Sequence, residues 1–302
     1  MLINRGNLDI AFNGFKTLFN DAFAGAPTAY KEIASVVPSS SAEETYGWLG
    51  QIQSFREWIG PRVVVNLSAH SYRIRNRDFE NTVSVGRNDF EDDKYGIFAP
   101  AFSEMGRAAA EFPDQLVFDL LVAGFATECY DEQYFFDTDH PVRLNGPDSP
   151  PTSVSNTGGG SGSPWFLLDT SRMVKPLIFQ ERRALGTLVS KDRPEDDNVF
   201  SNKEYLYGSD GRCNVGFGLW QLAYGSKDTL NAANYAAARA ALMGMRGDGG
   251  RPLGVRPTTL VVGPALEQAA LKLLNSEFAA GGETNEWKGT AKLIVTPYIA
   301  SA

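Results

Sequence analysis

The stretch KYGIFAPAFSEMGRAAAEFPDQLVFDLLVAGFATECYDEQY, residues 94–134, decides the fold. Its apolar residues recur at helical spacing: Phe98, Phe102, Met105, Ala109 and Phe112, then Leu116, Leu120 and Gly124. Val117, Leu121 and Phe125 broaden the stripe. Pro113 interrupts it, but Pro113-Asp114 also suits the first turn of a new helix. The pattern predicts either two nearly continuous helices or one kinked helix, a beam with the rest of the chain on either side.

Upstream, Leu8, Ala11, Phe12, Phe15, Leu18, Phe19 and Phe23 repeat at helical intervals, and Gly25-Ala26-Pro27 stops the helix they imply. That face is expected to pack on the chain's own domain, with an arm laid on a neighbour as the sharper alternative. Residues 46–93 change character. Trp48, Phe55 and Trp58 crowd together. Tyr72 and Ile74 alternate with Arg73 and Arg75, and Val83 and Val85 alternate with Thr82 and Ser84. With Asn76-Arg77-Asp78 as a turn, these runs predict an extended, highly charged ribbon. A two-stranded ribbon is marginal alone in water, so it is expected to rest on something else.

Downstream, Arg143 to Pro164 is rich in Gly, Ser and Pro and is expected to be an exposed, mobile loop. Trp165–Leu168 and Leu177–Phe179 read as short strands, and residues 203–226 as a Gly-interrupted strand pair. The last hundred residues read as an α/β unit: a helix at 230–245, a strand in TTLVVGP, a helix after Pro264 and a closing strand in TAKLIVTPYI.

The 302 residues, 43% of them hydrophobic, suffice for one large domain or two intertwined ones. A net charge of -8 with no basic run argues against tight sequence-independent binding to nucleic acid. The N-terminus lacks the order of a signal peptide and no run has the length of a membrane span, so a soluble protein made in the cytoplasm is expected. Two cysteines and two histidines leave little for a disulfide framework or a metal site, and no cofactor is implied. Cys129 and His140, among Asp131, Asp137 and Asp139, are the residues that could form a nucleophile–base pair. A cysteine at the end of an apolar stripe is far more often a small core residue. The residues alone therefore yield no convincing catalytic site, but an arm, a ribbon and a beam.

The strings YGWLG (46–50), REWIGPR (56–62), FENTVSVGRNDFEDD (79–93), YGIFAPAFSEMGRAAA (95–110), CYDEQYFFDTDHPV (129–142), VKPLIFQERR (174–183), CNVGFGLWQLA (213–223) and LEQAALKLLN (266–275) resemble the major head subunit of Mu-like phages and prophages. In CYDEQ, Glu132 stands where the resemblance leads one to expect glycine. The resemblance implies an α+β, HK97-like major capsid fold. Residues 1–45 would be the N-terminal arm and 46–93 the E-loop β-ribbon and its root. Residues 94–214 would be the peripheral domain, with a spine helix at 94–130. Residues 215–290 would be the axial domain, and 291–302 a closing strand returning to the peripheral domain. It further implies a virion protein assembled in the host bacterial cytoplasm. Its partners would be its own copies in pentamers and hexamers, a scaffold protein, a portal, a decoration protein and packaged double-stranded DNA contacted non-specifically, with no membrane.

Candidate interface residues are Trp48 and Trp58 as aromatic anchors, or equally as ordinary core, and Arg56, Arg62, Arg73, Arg75 and Arg77 as partners of acids on adjacent subunits. Glu80 lies in the same charged ribbon. The ribbon from Val63 to Phe90 has no lysine, so the Lys–Asn crosslinking of some capsids of this fold is not expected there. The competing readings are a cysteine hydrolase using Cys129 and His140, and another structural virion protein, a tail tube or decoration subunit.

Overall fold

The computed structural model describes residues 4–49, 72–92, 95–145, 149–279 and 282–299. Helix α1 spans Arg5–Gly25; the Asn4 side chain caps it by accepting from the Asn7 amide at 2.9 Å. Its buried face is Leu8, Ala11, Phe15 and Phe19, as the spacing predicts. One turn, α2 (Tyr30–Ile33), leads into strand β1 (Ala34–Pro38). Strands β2 (Glu43–Thr45), β3 (Arg73–Arg75) and β4 (Arg77–Gly86) follow, then the short helix α3 (Arg87–Glu91) and a 3-10 turn at Tyr95–Phe98.

The beam is helix α4 (Ala99–Ala123), 25 residues that run through Pro113 as one element, roughly 37 Å at about 1.5 Å per residue. It is shorter than the expected 94–130. Gly124 ends it, and a Cβ there would lie 2.9 Å from the Phe136 ring. Beyond Gly124 the apolar residues still enter the core, but from turns: Phe125 packs on Phe136 and Phe166. Periodicity does not distinguish such residues from a helical face. The buried stripe also centres differently from the expectation, on Phe102, Met105, Gly106, Ala110, Pro113, Asp114, Val117, Phe118 and Leu121.

The remaining elements are β5 (His140–Val142), β6 (Thr152–Val154), β7 (Thr157–Gly160), β8 (Trp165–Leu168), β9 (Leu177–Arg183), β10 (Leu188–Lys191), α5 (Asp197–Asn202), β11 (Glu204–Phe217), β12 (Ala223–Lys227), α6 (Ala232–Met243), β13 (Thr259–Val262), α7 (Glu267–Leu274) and β14 (Lys292–Val295). In the first large sheet β9 pairs in parallel with β1 and antiparallel with β11. The long β11 in turn pairs antiparallel with β10 and, along its other edge, with β4. The second runs β14-β13-β8-β12-β7. Its central strand β8, Trp-Phe-Leu-Leu, is buried throughout, and Leu177–Phe179 of β9 likewise. Such strands, covered on both faces, read as continuous apolar runs rather than alternating ones. No helix among the described residues is long and apolar enough to cross a membrane.

Four expectations change. Strands β3 and β4 do not pair with each other: β3 pairs with β2, and β4 joins the first sheet through β11. Alternation signals a strand but not its partner. Residues 203–226 are not a strand pair either, because β11 and β12 lie in different sheets. The closing strand β14 lies parallel to β13 in the second sheet; beyond it, Tyr298 stacks on Phe118 of α4. The described part of the Gly/Ser/Pro-rich segment is largely exposed, as expected, but it forms strands rather than a loop. Strand β7 is an edge of the second sheet, where a Cβ on Gly158 would lie 2.7 Å from Ser226 Oγ, and Gly160 has φ +85° against the Lys227–Asp228 backbone. Its small residues permit close approach, and composition alone does not separate that use from flexibility.

Two hydrophobic clusters result, and α4 runs through both. Phe102 and Met105 join Leu8, Ala11, Phe15 and Phe19 of α1 with Val85, Phe90, Leu188, Val199, Tyr205 and Tyr207. Val117, Phe118 and Leu121 join the larger cluster, which spans β9 and β11 of the first sheet and the second sheet. Phe15 stacks on Phe102 at 3.9 Å between ring centroids. This contact is possible because Gly106 lets the α1 backbone come close: a Cβ there would stand 2.2 Å from the Phe19 carbonyl oxygen.

Gly106→Ala is therefore expected to push α1 off α4. Overpacking of this kind costs about 1–3 kcal/mol, read as a lower urea midpoint of the unassembled subunit. Glu132 points the other way. It occupies left-handed backbone, φ +66°, which costs a residue with a side chain roughly 1–2 kcal/mol. Glycine there would lose roughly 0.5–1 kcal/mol to its unfolded freedom. Glu132→Gly is thus expected to raise the same midpoint by a net ~0.5–1 kcal/mol.

Candidate assembly surfaces

The segment that carries most sequence-predicted interface residues is rooted at the β2–β3 pair, where Glu43 faces Arg75 and Thr45 faces Arg73. A buried polar network fixes this root to the first sheet. Gln180 of β9, fully buried, accepts from the Tyr46 hydroxyl at 2.8 Å and donates to the Ile74 carbonyl (3.0 Å) and to Asn76 Oδ1 (2.8 Å). Asn76 donates onward to Ser39 Oγ (2.8 Å) and the Ser41 carbonyl (2.9 Å). The Tyr72 hydroxyl accepts from the Phe217 amide at 2.9 Å. Beside the root, Glu44 Oε1 gathers the amides of Ser40 (2.8 Å) and Ser41 (3.1 Å) and the Ser39 hydroxyl (2.9 Å). The Ser40 amide, then the Ser39 hydroxyl and the Ser41 amide, hold the Glu44 carboxyl below its ordinary range.

Around this root, Trp48 is 36% exposed, its ring edge-on to Tyr46. Arg73 pairs with Glu43 of its own chain at 3.3 Å, not the acid on another subunit that the sequence suggested. The Arg77 guanidinium lies over the Phe79 ring, 5.2 Å from its centroid. Glu80 accepts from the Thr82 hydroxyl at 2.6 Å. Arg75 is exposed, and its side chain has no ion-pair partner among the described residues. Arg56, Trp58 and Arg62 lie outside the described residues. Much of the neighbouring charge is balanced within the chain, Arg212 with Asp78 at 3.6 Å and Arg183 with Asp210. The sequence pattern showed charges but not which were already paired.

Sequence reading missed two further positions. Asp114, on the buried face of α4, accepts from the amides of Ala29 (2.9 and 3.0 Å) and Tyr30 (2.7 Å), clasping the link between α1 and β1. Burial raises its carboxyl above the usual range, against the pull of those two amides. Gln180 looked like an ordinary polar residue ending a strand. A long-range hydrogen bond leaves no periodic trace in sequence.

The Cys129–His140 pair does not form. Cys129 Sγ donates to Asp131 Oδ1 at 3.0 Å, and the other carboxylate oxygen, Oδ2, meets His140 Nδ1 at 2.8 Å. Asp131 thus separates the thiol from the ring. Burial and then the Asp131 charge push the thiol far up, the reverse of what an attacking thiolate needs. The three donor atoms converge within 4.8 Å, one ligand short of a structural zinc site. Each is already engaged with another of the set.

A family model described as Mu-like prophage major head subunit gpT matches residues 8–299. The chain is 43% identical over 306 residues to the major capsid protein of Escherichia phage Mu, covering 99% of this chain and all of that one. Its fold superposes on a subunit of the bacteriophage JBD30 procapsid with a TM-score of 0.87 and 44% identity, covering 98% of this chain and 100% of that one. The match to a JBD30 capsid decorated with minor capsid protein trimers has a TM-score of 0.74 at 33% identity, over 91% and 92%.

Because the Glu44 carboxyl is depressed in the folded state, its contribution is present above the ordinary carboxylate range and is lost as pH falls through the depressed value. Acidification is expected to lower the hydrogen-exchange protection of the Ser40 and Ser41 amides, measured against their intrinsic rates. In Glu44→Ala that protection should be low already at neutral pH.

Proposed function

The chain belongs to the Mu-like prophage major head subunit family, and we propose from that membership how its parts serve assembly. It is the major capsid protein of a Mu-like phage, a structural component of the virion that forms the head shell and not an enzyme. Its fold is the α+β fold of phage capsid subunits. The finer reading follows the HK97-like plan: α1 as the arm, α4 as the spine, the first sheet with α4 as the peripheral domain, and the second sheet with α6 and α7 as the axial domain around symmetry axes. The segment bracketed by β2 and β3 is the E-loop, laid across a neighbouring subunit.

One observation carries this reading. Strands β2 and β3 are antiparallel and pinned to β9 by Gln180, and the Tyr46 amide donates to the Tyr72 carbonyl, so the two ends of the intervening segment are held side by side. A segment with both ends held at one fixed root can contribute area to a neighbour without disturbing its own fold. Contacts between unlike faces then close into rings and a shell if each rotation is right. Arg75, Arg77, Glu80 and Trp48 lie on or beside that root and are the residues proposed to meet a second copy. Exposed ion pairs contribute about 0–1 kcal/mol each, but a shell repeats them many times. A scaffold, a portal and a decoration protein are proposed as further partners, the last because the similar JBD30 capsid carries minor capsid protein trimers. Packaged double-stranded DNA would be contacted without sequence preference, as the chain's net charge of -8 suits.

Arg75→Gln, which removes the charge without setting a like charge opposite Glu43, tests the root. The side chain has no described partner within its own chain, so subunit melting should stay at the wild-type temperature. Shell yield in negative-stain micrographs, with the phage's scaffold co-expressed, should fall severalfold. Shells at wild-type yield and diameter would remove Arg75 from the interface.

A further inference from the structure

Strand β4 is a long open edge of the first sheet. It runs ten residues, Arg77–Gly86, roughly 34 Å at about 3.4 Å per residue. One side pairs with β11 in an unbroken antiparallel register, and among the described residues no strand pairs with the other. The register also says which groups stand on the open side. It places Lys203 opposite Arg87, whose amide donates to the Lys203 carbonyl at 2.9 Å. Antiparallel ladders alternate between hydrogen-bonded and non-hydrogen-bonded pairs, so Val85, Val83, Asn81 and Phe79 bond to β11. The amides and carbonyls of Ser84, Thr82, Glu80 and Asp78 point the other way. All four residues are exposed, and none of those amides meets an acceptor among the described residues.

Edge strands are commonly protected by being short, by bulges, by proline or by charged side chains, lysine above all. Strand β4 has no proline, no lysine and no break in its register. Its charges are engaged within the subunit: Asp78 with Arg212 at 3.6 Å, Glu80 with the Thr82 hydroxyl at 2.6 Å, and Arg77 over the Phe79 ring.

We propose that this edge is closed in the shell by β4 of a second copy, the two strands antiparallel across a two-fold axis at Asn81. The strand is complementary to itself in that register. Asp78 stands opposite Ser84 and Glu80 opposite Thr82, so each acid meets a hydroxyl, and both members of each pair turn their amides and carbonyls outward. Phe79 stands opposite Val83, both half-buried, on the side where Phe79 meets Phe112 of α4. Other registers fit worse. An axis at Glu80 sets that carboxylate against its own copy, and one at Phe79 sets Asp78 against Glu80. An axis at Thr82 sets Phe79 against Val85, which the core already covers. A two-fold contact uses the same patch on both partners, and strand addition gains main-chain hydrogen bonds without altering the subunit's own sheet. The pairing uses no residue of the segment bracketed by β2 and β3, so it stands or falls independently of where that segment lies.

Hydrogen exchange on the wild-type protein reads the edge directly. The amides of Asp78, Glu80, Thr82 and Ser84 should exchange quickly in the unassembled subunit and manyfold more slowly in shells assembled with the phage's scaffold. Asn81→Cys then identifies the partner. At a non-hydrogen-bonded pair on the axis the two Cα atoms lie about 4.5 Å apart, within disulfide range. Oxidised Asn81→Cys shells should run largely as dimers on a non-reducing denaturing gel, and wild-type shells, whose Cys129 and Cys213 are buried, as monomers. Thr82→Pro removes an outward amide and no bond of the ladder with β11. It should leave subunit melting unchanged and lower shell yield severalfold. Edge amides that exchange as fast in shells as in free subunits would overturn the proposal, as would Thr82→Pro shells at wild-type yield. So would Asn81→Cys shells that stay monomeric on the gel, the result expected if a different strand fills the edge.

Discussion

Helix α4 belongs to two hydrophobic clusters at once, and the rest of the subunit depends on that. Its first half is covered by α1 and part of the first sheet, its second half by the larger core, which takes in β9 and β11 of the first sheet as well as the second sheet. Packed interiors are as dense as organic crystals and transmit strain rather than absorb it. A rod shared by two cores therefore fixes their relative orientation. Gly106 sets the depth at which α1 docks on that rod, and Tyr298, stacked on Phe118, ties the far end of the chain to it.

Apolar packing of this kind fills space but discriminates weakly between nearly equivalent arrangements. The discrimination comes from buried polar groups at the joints. Asp114 clasps the link after α1, Gln180 fixes the β2–β3 root, and the Asp131–His140–Asn156 chain joins α4 to the second sheet. Each has partners placed so that a shifted neighbour would leave a buried donor or acceptor unmet, at about 1–3 kcal/mol. Subunits that must form equivalent contacts in many copies gain from such groups. Small angular errors at a joint would otherwise accumulate across the shell.

The amphipathic helix at 5–25, the beam, the buried runs at 165–168 and 177–179 and the α/β order of the C-terminal third were legible, because periodicity and run length report burial directly. Pairing was not. The alternation at 72–85 was correct as strand, yet β3 and β4 go to different partners, since register is settled by residues far away, Glu43 and Tyr205 to Cys213. Glycine misled in one place and informed in another. At 158 and 160 it permits close approach within a strand rather than a loop, whereas at 132 the resemblance called for glycine and the backbone there is indeed left-handed. Of the candidate interface, the positions of Trp48, Arg75, Arg77 and Glu80 follow from the fold. The intrachain pairing of Arg73 did not, because a charge in sequence does not name its counterion.

The Cys129, Asp131 and His140 cluster shows why residue types alone cannot establish chemistry. A nucleophile needs the order thiol–imidazole–carboxylate, in which the ring takes the proton and the acid steadies the ring. Here the order is thiol–carboxylate–imidazole. The carboxylate holds the thiol proton in place on one side and on the other faces the ring nitrogen that would have served as base. Every bond in the chain stabilises the resting arrangement, and none is poised to transfer a proton outward. Moving one residue to the middle converts a reactive set into a structural one, and a shell protein is served by the second.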